Sequence, residues 1–383
     1  MNKVLFLMRY PIDDAYNLKL KFNGQMKACV NLGYDVYYIG YNAKHFYLCS
    51  YKKGEAIEIG KTHFHHYRGY RSTFAFFDLY SALSIAINIE HFDYIYMRSK
   101  FVTHRAVKTL IKYKKNGGKL IVEIPTYGVK EKSLNSIRKI AKCMSVNNRN
   151  RFEQLVDRYT LIGANCPENY KGKPAREISN GIDLDSLPIK KYSTLNSEIH
   201  MLALASMRDW QGFDRVVLGM GNYIGEYRLI LHLVGKDFDH SIEKWMTMAK
   251  ELGVESNVLY HGALYGEELT SVFDTCHLGI GAMAMHRRGD IVGSPLKVRE
   301  YIARGIPYIY SYEDTSLSGN EWFALKFPEN DEPVDFNVVV PWIADIYNNS
   351  SFITEMRRFA KEKLLWETQL GSVFDDLGEA NNE

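Results

Sequence analysis

Gly293-Ser-Pro-Leu-Lys-Val-Arg-Glu-Tyr-Ile-Ala-Arg-Gly-Ile-Pro307 reads as a short helix marked at both ends. Ser294 is a good N-cap, Pro295 suits the first helical position, and Gly305 with Pro307 stops the helix. The apolar runs on either side, from His277 to Met283 and from Ile306 to Tyr310, read as buried parallel strands. The unit is therefore strand, loop, capped helix, strand, with the helix N-terminus at the end of the first strand. Unpaired first-turn N–H groups and the positive dipole end make such a place an anion site.

Lys297 falls in that first turn, where the dipole disfavours a cation and an anionic ligand would remove the conflict. Glu300 and Arg304 follow on the same face, so a solvated charge ladder of Lys297, Glu300 and Arg304 stands beside the anion-site reading. The helix alone does not separate the two.

At 383 residues the chain is long enough for two domains, each with its own core. The N-terminus enters a strand directly, with an apolar run too short for a signal peptide, and no window approaches a membrane span. Five scattered cysteines without a C-x-x-C pair suit reduced, buried thiols, and a cytoplasmic location is expected. The net charge of +3 hides an asymmetry: residues 1–187 hold 30 Lys and Arg against 16 Asp and Glu (+14), which leaves 18 against 29 (−11) for the rest. The first half is expected to face an anionic partner.

Residues 3–8 read as a strand, about 19–32 as a helix and 34–39 as a second strand, an α/β start. No G-x-G-x-x-G follows the first strand, which argues against a dinucleotide oxidoreductase. Residues 55–68 read as a hairpin carrying His63, His65 and His66. No third ligand joins them, so an exposed strand is the better account and no metal is expected. The helix from Thr103 shows Arg105, Lys108, Lys112 and Lys115 on one face without an acid, and Lys130 to Lys142 is a second basic segment. Both suit an anionic membrane surface or a lipid pyrophosphate, and a peripheral place on the inner face of the membrane follows from charge alone. No nucleic-acid motif is present. Asn180-Gly181 marks a turn, and the polar run from Pro188 to Ser197 is the expected linker. Strands at 200–205, 228–235 and 257–262 then alternate with helices at 212–220, 242–252 and 267–276, and residues 352–377 read as helical.

In this order and spacing the chain resembles the GT-B glycosyltransferases, specifically glycosyltransferase family 4 of the bacterial capsule and exopolysaccharide type. The resemblance rests on Ile178-Ser-Asn-Gly-Ile-Asp183, Trp210-Gln-Gly-Phe-Asp-Arg215, Leu231-His-Leu-Val-Gly235, Tyr260-His-Gly262 and the segment from Ser294 to Gly305. It implies two tandem Rossmann-like domains facing a central cleft: 1–187 for the acceptor, 188–365 for the nucleotide-sugar donor, and a helix at 366–383 packing back on the first. It further implies sugar transfer from a nucleotide-diphosphate sugar, with UDP favoured, to a glycan or polyprenyl-pyrophosphate-linked acceptor. Family members mostly retain anomeric configuration and need neither a divalent ion nor another cofactor.

By the same resemblance Glu300 matches the second Glu of the family's E-x7-E motif and would meet the ribose hydroxyls. Lys297 with the Ser294 and Leu296 backbone would hold the diphosphate, Arg208 and Arg287 are further phosphate candidates, and Gly262 and Leu264 lie where the base is held. Arg208, Lys297 and Glu300 are the expected catalytic set. Asn17, Arg98, Glu123 and Thr126, at strand ends of the first domain, would face the acceptor. The chain departs from the pattern at Val292, which replaces the first motif Glu, at Gln211, which replaces a Lys, and at Arg208, which is displaced by two positions. A catalytically silent homologue, acting in assembly or substrate recognition, is the alternative.

Overall fold

The computed structural model describes residues 1–12, 18–62, 71–98, 102–128, 148–163, 165–289, 291–375 and 377, with backbone alone for 71–77. The chain forms two compact units, Met1–Gly181 with Trp366–Glu383, and Ile182–Leu365. The division comes at Gly181, ahead of the expected 187. Ile182 already donates its N–H to the Leu364 carbonyl at 2.8 Å, and Leu187 is packed in the second core.

In the first unit the elements run β1 (Lys3–Pro11), α1 (Lys19–Asn31), β2 (Asp35–Tyr41), β3 (His45–Ser50), β4 (Ala56–Lys61), α2 (Arg71–Ile89), β5 (Tyr94–Met97), α3 (His104–Lys115), β6 (Lys119–Ile124), β7 (Arg158–Ile162), β8 (Asn169–Tyr170) and β9 (Lys173–Ile178). They form one sheet in the order β4-β3-β2-β1-β5-β6-β7-β9-β8. Its centre is parallel, and β3 and β4 continue it antiparallel beyond β2. The hairpin therefore begins at His45 rather than at residue 55; His63, His65, His66 and the basic segment from Lys130 to Lys142 lie outside the described residues. Val4, Phe6, Leu5 and Leu7 of β1 are buried on both faces, which is why that strand reads as a continuous apolar run. Thr103 caps α3, accepting the Ala106 N–H at 3.1 Å.

The second unit contains β10 (Glu198–Leu204), α4 (Phe213–Asn222), β11 (Arg228–Val234), α5 (Ser241–Glu251), β12 (Val258–Gly262), α6 (Gly266–Thr275), β13 (Leu278–Ile280), β14 (Val292–Gly293), α7 (Leu296–Arg304), β15 (Tyr308–Tyr310), β16 (Glu313–Asp314), β17 (Ala324–Lys326), α8 (Phe336–Asn348) and α9 (Phe352–Lys363). Six parallel strands order as β12-β11-β10-β13-β15-β17, the doubly wound sequence in which the winding direction reverses once, between β10 and β13. A file of rings crosses this sheet. His261 lies 2.9 Å from His232, His232 lies 2.9 Å from His200, and His200 Nε2 lies 3.2 Å from the Glu198 carboxylate. An ionised carboxylate only accepts, so each ring carries its proton on Nε2 and accepts at Nδ1.

The last helix, α10 (Trp366–Phe374), returns to the first unit. Trp366 packs against Gly181, where a Cβ would come within 2.7 Å of the indole. The Arg158 guanidinium donates to the carbonyls of Val373 at 2.8 Å and Asp375 at 2.6 Å.

Candidate donor site and first-unit cluster

Where winding reverses, neighbouring loops leave in opposite directions and open a crevice at the strands' C-terminal ends. In the second unit those loops are 205–212, after β10, and 281–295, after β13. They are joined tightly. Met283 donates its N–H to the Gln211 carbonyl at 2.8 Å. Gly212 sits between them at φ +69°, where a Cβ would meet Ala284 atoms at 2.7 Å, so glycine is required for both conformation and space. Beneath them the buried Arg215 guanidinium donates to the carbonyls of Met283 and Glu332 and to Asn330 Oδ1.

The helix α7 starts in this crevice, with Pro295, not Ser294, as the residue before it. The Ser294 hydroxyl accepts from Arg299 at 2.8 Å, and Pro295 has no side-chain group with which to cap the first turn. Arg299 and Asp314, both 0% exposed, form a bidentate pair at 2.8 and 2.6 Å, and Arg299 also donates to Ser316. This pair ties α7 to β16, and β16 pairs with β14, from which only Ser294 and Pro295 separate the helix. The helix N-terminus is thus fixed from behind, and Pro295 offers its first-turn N–H groups no side-chain acceptor.

Lys297 projects from that first turn. Its Nζ donates to Gln211 Oε1 at 2.9 Å and lies 5.0 Å from the centre of the Phe213 ring. No carboxylate reaches it among the described residues, and desolvation alone brings the ammonium down to about 7. One turn on, Glu300 is 15% exposed; its Oε1 accepts from Arg304 at 2.9 Å, and Oε2 has no partner among the described residues. Burial raises this carboxyl above its usual range, against the pull of Arg304. The ladder expected for this helix is therefore half present: Glu300 pairs with Arg304, while Lys297 turns away to Gln211.

The other expected donor ligands differ in their freedom. Arg287 is bidentate on Asp214 at 2.9 and 2.7 Å and also bonds Asp331 at 2.7 Å, so its guanidinium is taken up in bracing the loop and is not available to a phosphate. Arg208 stands just before the short turn Asp209–Gln211, half-buried, with its guanidinium 4.8 Å from the Phe238 ring centre. Gly262 ends β12 at φ +70° and accepts the Gly235 N–H at 2.7 Å, and Leu264 packs on the core.

The first unit has a comparable point, where winding reverses between β1 and β5. Arg98 follows β5 there, its N–H reaching the Leu7 carbonyl at 3.4 Å. Glu123, on β6, is 1% exposed. It accepts from Lys21 at 2.9 Å, Gln25 at 2.8 Å and Tyr96 at 2.8 Å, and Lys21 and Arg98 outweigh desolvation to hold it ionised at about 2. Glu123 is thus saturated and internal, a support and not a group in contact with an acceptor. Thr126 is exposed just beyond the strand, and Asn17 lies outside the described residues.

No family model and no curated protein matches the chain at the level of sequence. Solved structures do. Sucrose-phosphate synthase from Thermosynechococcus elongatus superposes with a TM-score of 0.66 at 13% identity, covering 99% of this chain and 100% of that one. The catalytic domain of starch synthase IV from Arabidopsis thaliana, bound to ADP and acarbose, gives 0.67 at 12% identity over 98% and 99%. Anabaena HepE in complex with UDP gives 0.60 at 11% identity over 98% and 99%. The fold is GT-B.

With the GT-B fold established, the departures seen in the sequence acquire physical content. Gln211 is in direct contact with Lys297, so a neutral acceptor occupies the place where the resemblance expects a second cation. Val292 is half-buried in the short β14 strand and offers no polar group. Sequence reasoning missed the Arg299–Asp314 pair altogether. A basic residue on a short, charge-rich helix reads as solvated, and nothing local signals that an acid fifteen residues later will neutralise it.

Proposed function

We propose that the protein is a glycosyltransferase that moves a sugar from a nucleotide-diphosphate sugar, UDP-linked in the first instance, to an acceptor hydroxyl. The observation that carries this reading is Lys297: a desolvated ammonium that meets no carboxylate among the described residues, in the first turn of a helix preceded by Pro295, at the switch point of a GT-B unit. The leaving diphosphate supplies the missing negative charge. Lys297 and the N–H groups of Leu296 and Lys297 stabilise that charge as it develops, and Arg208 on the facing loop adds a second cation. The open Oε2 of Glu300 accepts from the ribose hydroxyls. Backbone groups at Gly262 and Leu264 meet the base. These fixed dipoles and cations provide the stabilisation that a divalent ion would otherwise give, so the reaction is read as metal-independent, and retention follows the sequence resemblance.

The acceptor belongs to the first unit, near Arg98, and is a glycan or a polyprenyl-pyrophosphate-linked sugar of bacterial surface polysaccharide synthesis. A cytoplasmic enzyme touching the inner membrane surface fits the +14 charge of residues 1–187. Among the described residues no helix is long and apolar enough to cross a membrane. The test is calorimetric titration with UDP and GDP, followed by assay of nucleoside diphosphate released with and without acceptor. Acceptor-dependent release establishes transfer. Val292 and Gln211 favour a second reading, a silent homologue acting in assembly; such a protein binds neither nucleotide.

A further inference from the structure

The first unit contains a cation that shares its anion and makes no hydrogen bond to it. Around Glu123 the donors can be assigned one by one. Tyr96 has a single hydroxyl proton, which goes to Glu123 Oε2 at 2.8 Å, so the Thr160 hydroxyl at 3.3 Å donates to Tyr96. Lys21 fills Oε1 at 2.9 Å and Gln25 shares Oε2 at 2.8 Å. Nothing is left for Arg98. Its Nε is 3.7 Å from Oε1, beyond hydrogen-bond length, and is a buried donor without a partner. The guanidinium is 19% exposed, rests 6.0 Å from the Phe22 ring centre, and has no other acceptor among the described residues. Among the described residues two cations thus surround one carboxylate, a surplus of one positive charge in a largely desolvated place. That place is the C-terminal edge of the sheet where β1 and β5 diverge, the edge at which doubly wound units bind ligands.

We propose that Arg98 is the anchor for a phosphoryl group on the acceptor, with Lys21, Gln25, Tyr96 and Glu123 behind it as positioning residues. With Nε turned to Glu123, the two terminal amino groups of the guanidinium form a fixed fork that matches the several oxygens of a phosphate or diphosphate. Glu123 keeps the Lys21 ammonium in place, and that second cation adds to the field at the fork without touching the ligand. The proposal rests on the transferase reading, since it names the chemistry of that enzyme's acceptor. A free sugar phosphate and a lipid-linked diphosphate share this chemistry.

The test uses the full chain saturated with UDP, so that the second unit's site is filled, and titrates inorganic pyrophosphate by calorimetry. One pyrophosphate is expected to bind to wild type, at least about tenfold more weakly to Arg98→Gln, with Arg98→Lys in between. Thermal midpoints of the variants confirm that each is folded. Phosphatidylcholine vesicles with and without a polyprenyl diphosphate distinguish the sources: tighter binding to doped vesicles than to free pyrophosphate assigns the lipid-linked form, and equal binding assigns the soluble one. Absence of pyrophosphate binding, or binding unchanged in Arg98→Gln, overturns the proposal. If UDP itself does not bind, the donor reading fails; the pyrophosphate titration repeated on Lys297→Met still decides the role of Arg98.

Discussion

Arg299 and Lys297 lie two residues apart on α7, and their surroundings are opposite. Arg299 is fully buried and has every charge answered, by Asp314, Ser294 and Ser316. Lys297 is half-buried and among the described residues meets only a neutral amide oxygen and a ring. A satisfied buried charge holds structure together. An unsatisfied one is a cost to the folded protein, which a ligand can remove. The same contrast separates Glu123, saturated by its donors, from Arg98 beside it.

The largest test of that contrast is Asp314→Asn. Leaving Arg299 buried without its carboxylate should lower unfolding stability by about 3–5 kcal/mol, read from urea denaturation. Lys297→Met should leave stability unchanged or raise it. If both lose equally, the distinction is wrong. Acid comes next. Burial and neighbouring rings hold His232 at about 4, and burial with Lys190 nearby holds His277 at about 4. Both sit below the ordinary histidine value, so the unfolded chain binds more protons below about 6.5. Stability should therefore be full above that pH and fall towards pH 4, by on the order of 3 kcal/mol for each ring. His232→Asn should flatten the profile.

Donor binding comes third. Lys297→Met and Glu300→Ala should each weaken UDP by about 1.5–3 kcal/mol, measured by calorimetry. Unchanged affinity in Glu300→Ala removes the ribose assignment. Arg287→Lys should reduce stability while leaving UDP affinity of the folded protein intact. The smallest effect is a proton. Because Lys297 titrates at about 7 when free, diphosphate binding at pH 8 should take up protons, visible as a binding enthalpy that varies with buffer ionisation, and affinity should decline as pH rises through that range. Lys297→Met should abolish the uptake.

Much of the fold was legible because its signals are local. Apolar runs such as 3–8 and 229–234 can only be strands buried on both faces, and Gly305 stops α7 as read, at φ +85° with Ile353 2.5 Å from where a Cβ would be. The first strand of the hairpin, His45–Ser50, was missed because Phe46, Leu48 and Cys49 sit in a polar, tyrosine-rich stretch. The start of α7 was misplaced by one residue because Ser294, an ideal cap by type, is claimed by a distant arginine pair. The candidate site divides the same way. Lys297 and Glu300 could be singled out from the helix and its resemblance, whereas the saturation of Glu123 and Arg287 depends on partners up to a hundred residues away.

The return of α10 to the first unit bears on how the chain is made. Arg158 donates to carbonyls of residues 372–375, and Trp366 lines Gly181. During synthesis the first unit emerges early but stays incomplete until Trp366–Phe374 has been made, after all of Ile182–Leu365. A message cut short at Leu365 would release a finished second unit joined to a first unit with an open seam over Phe6 and Tyr96. The helix α10 thus acts as a latch on the first unit, supplied only after the whole second unit has been made.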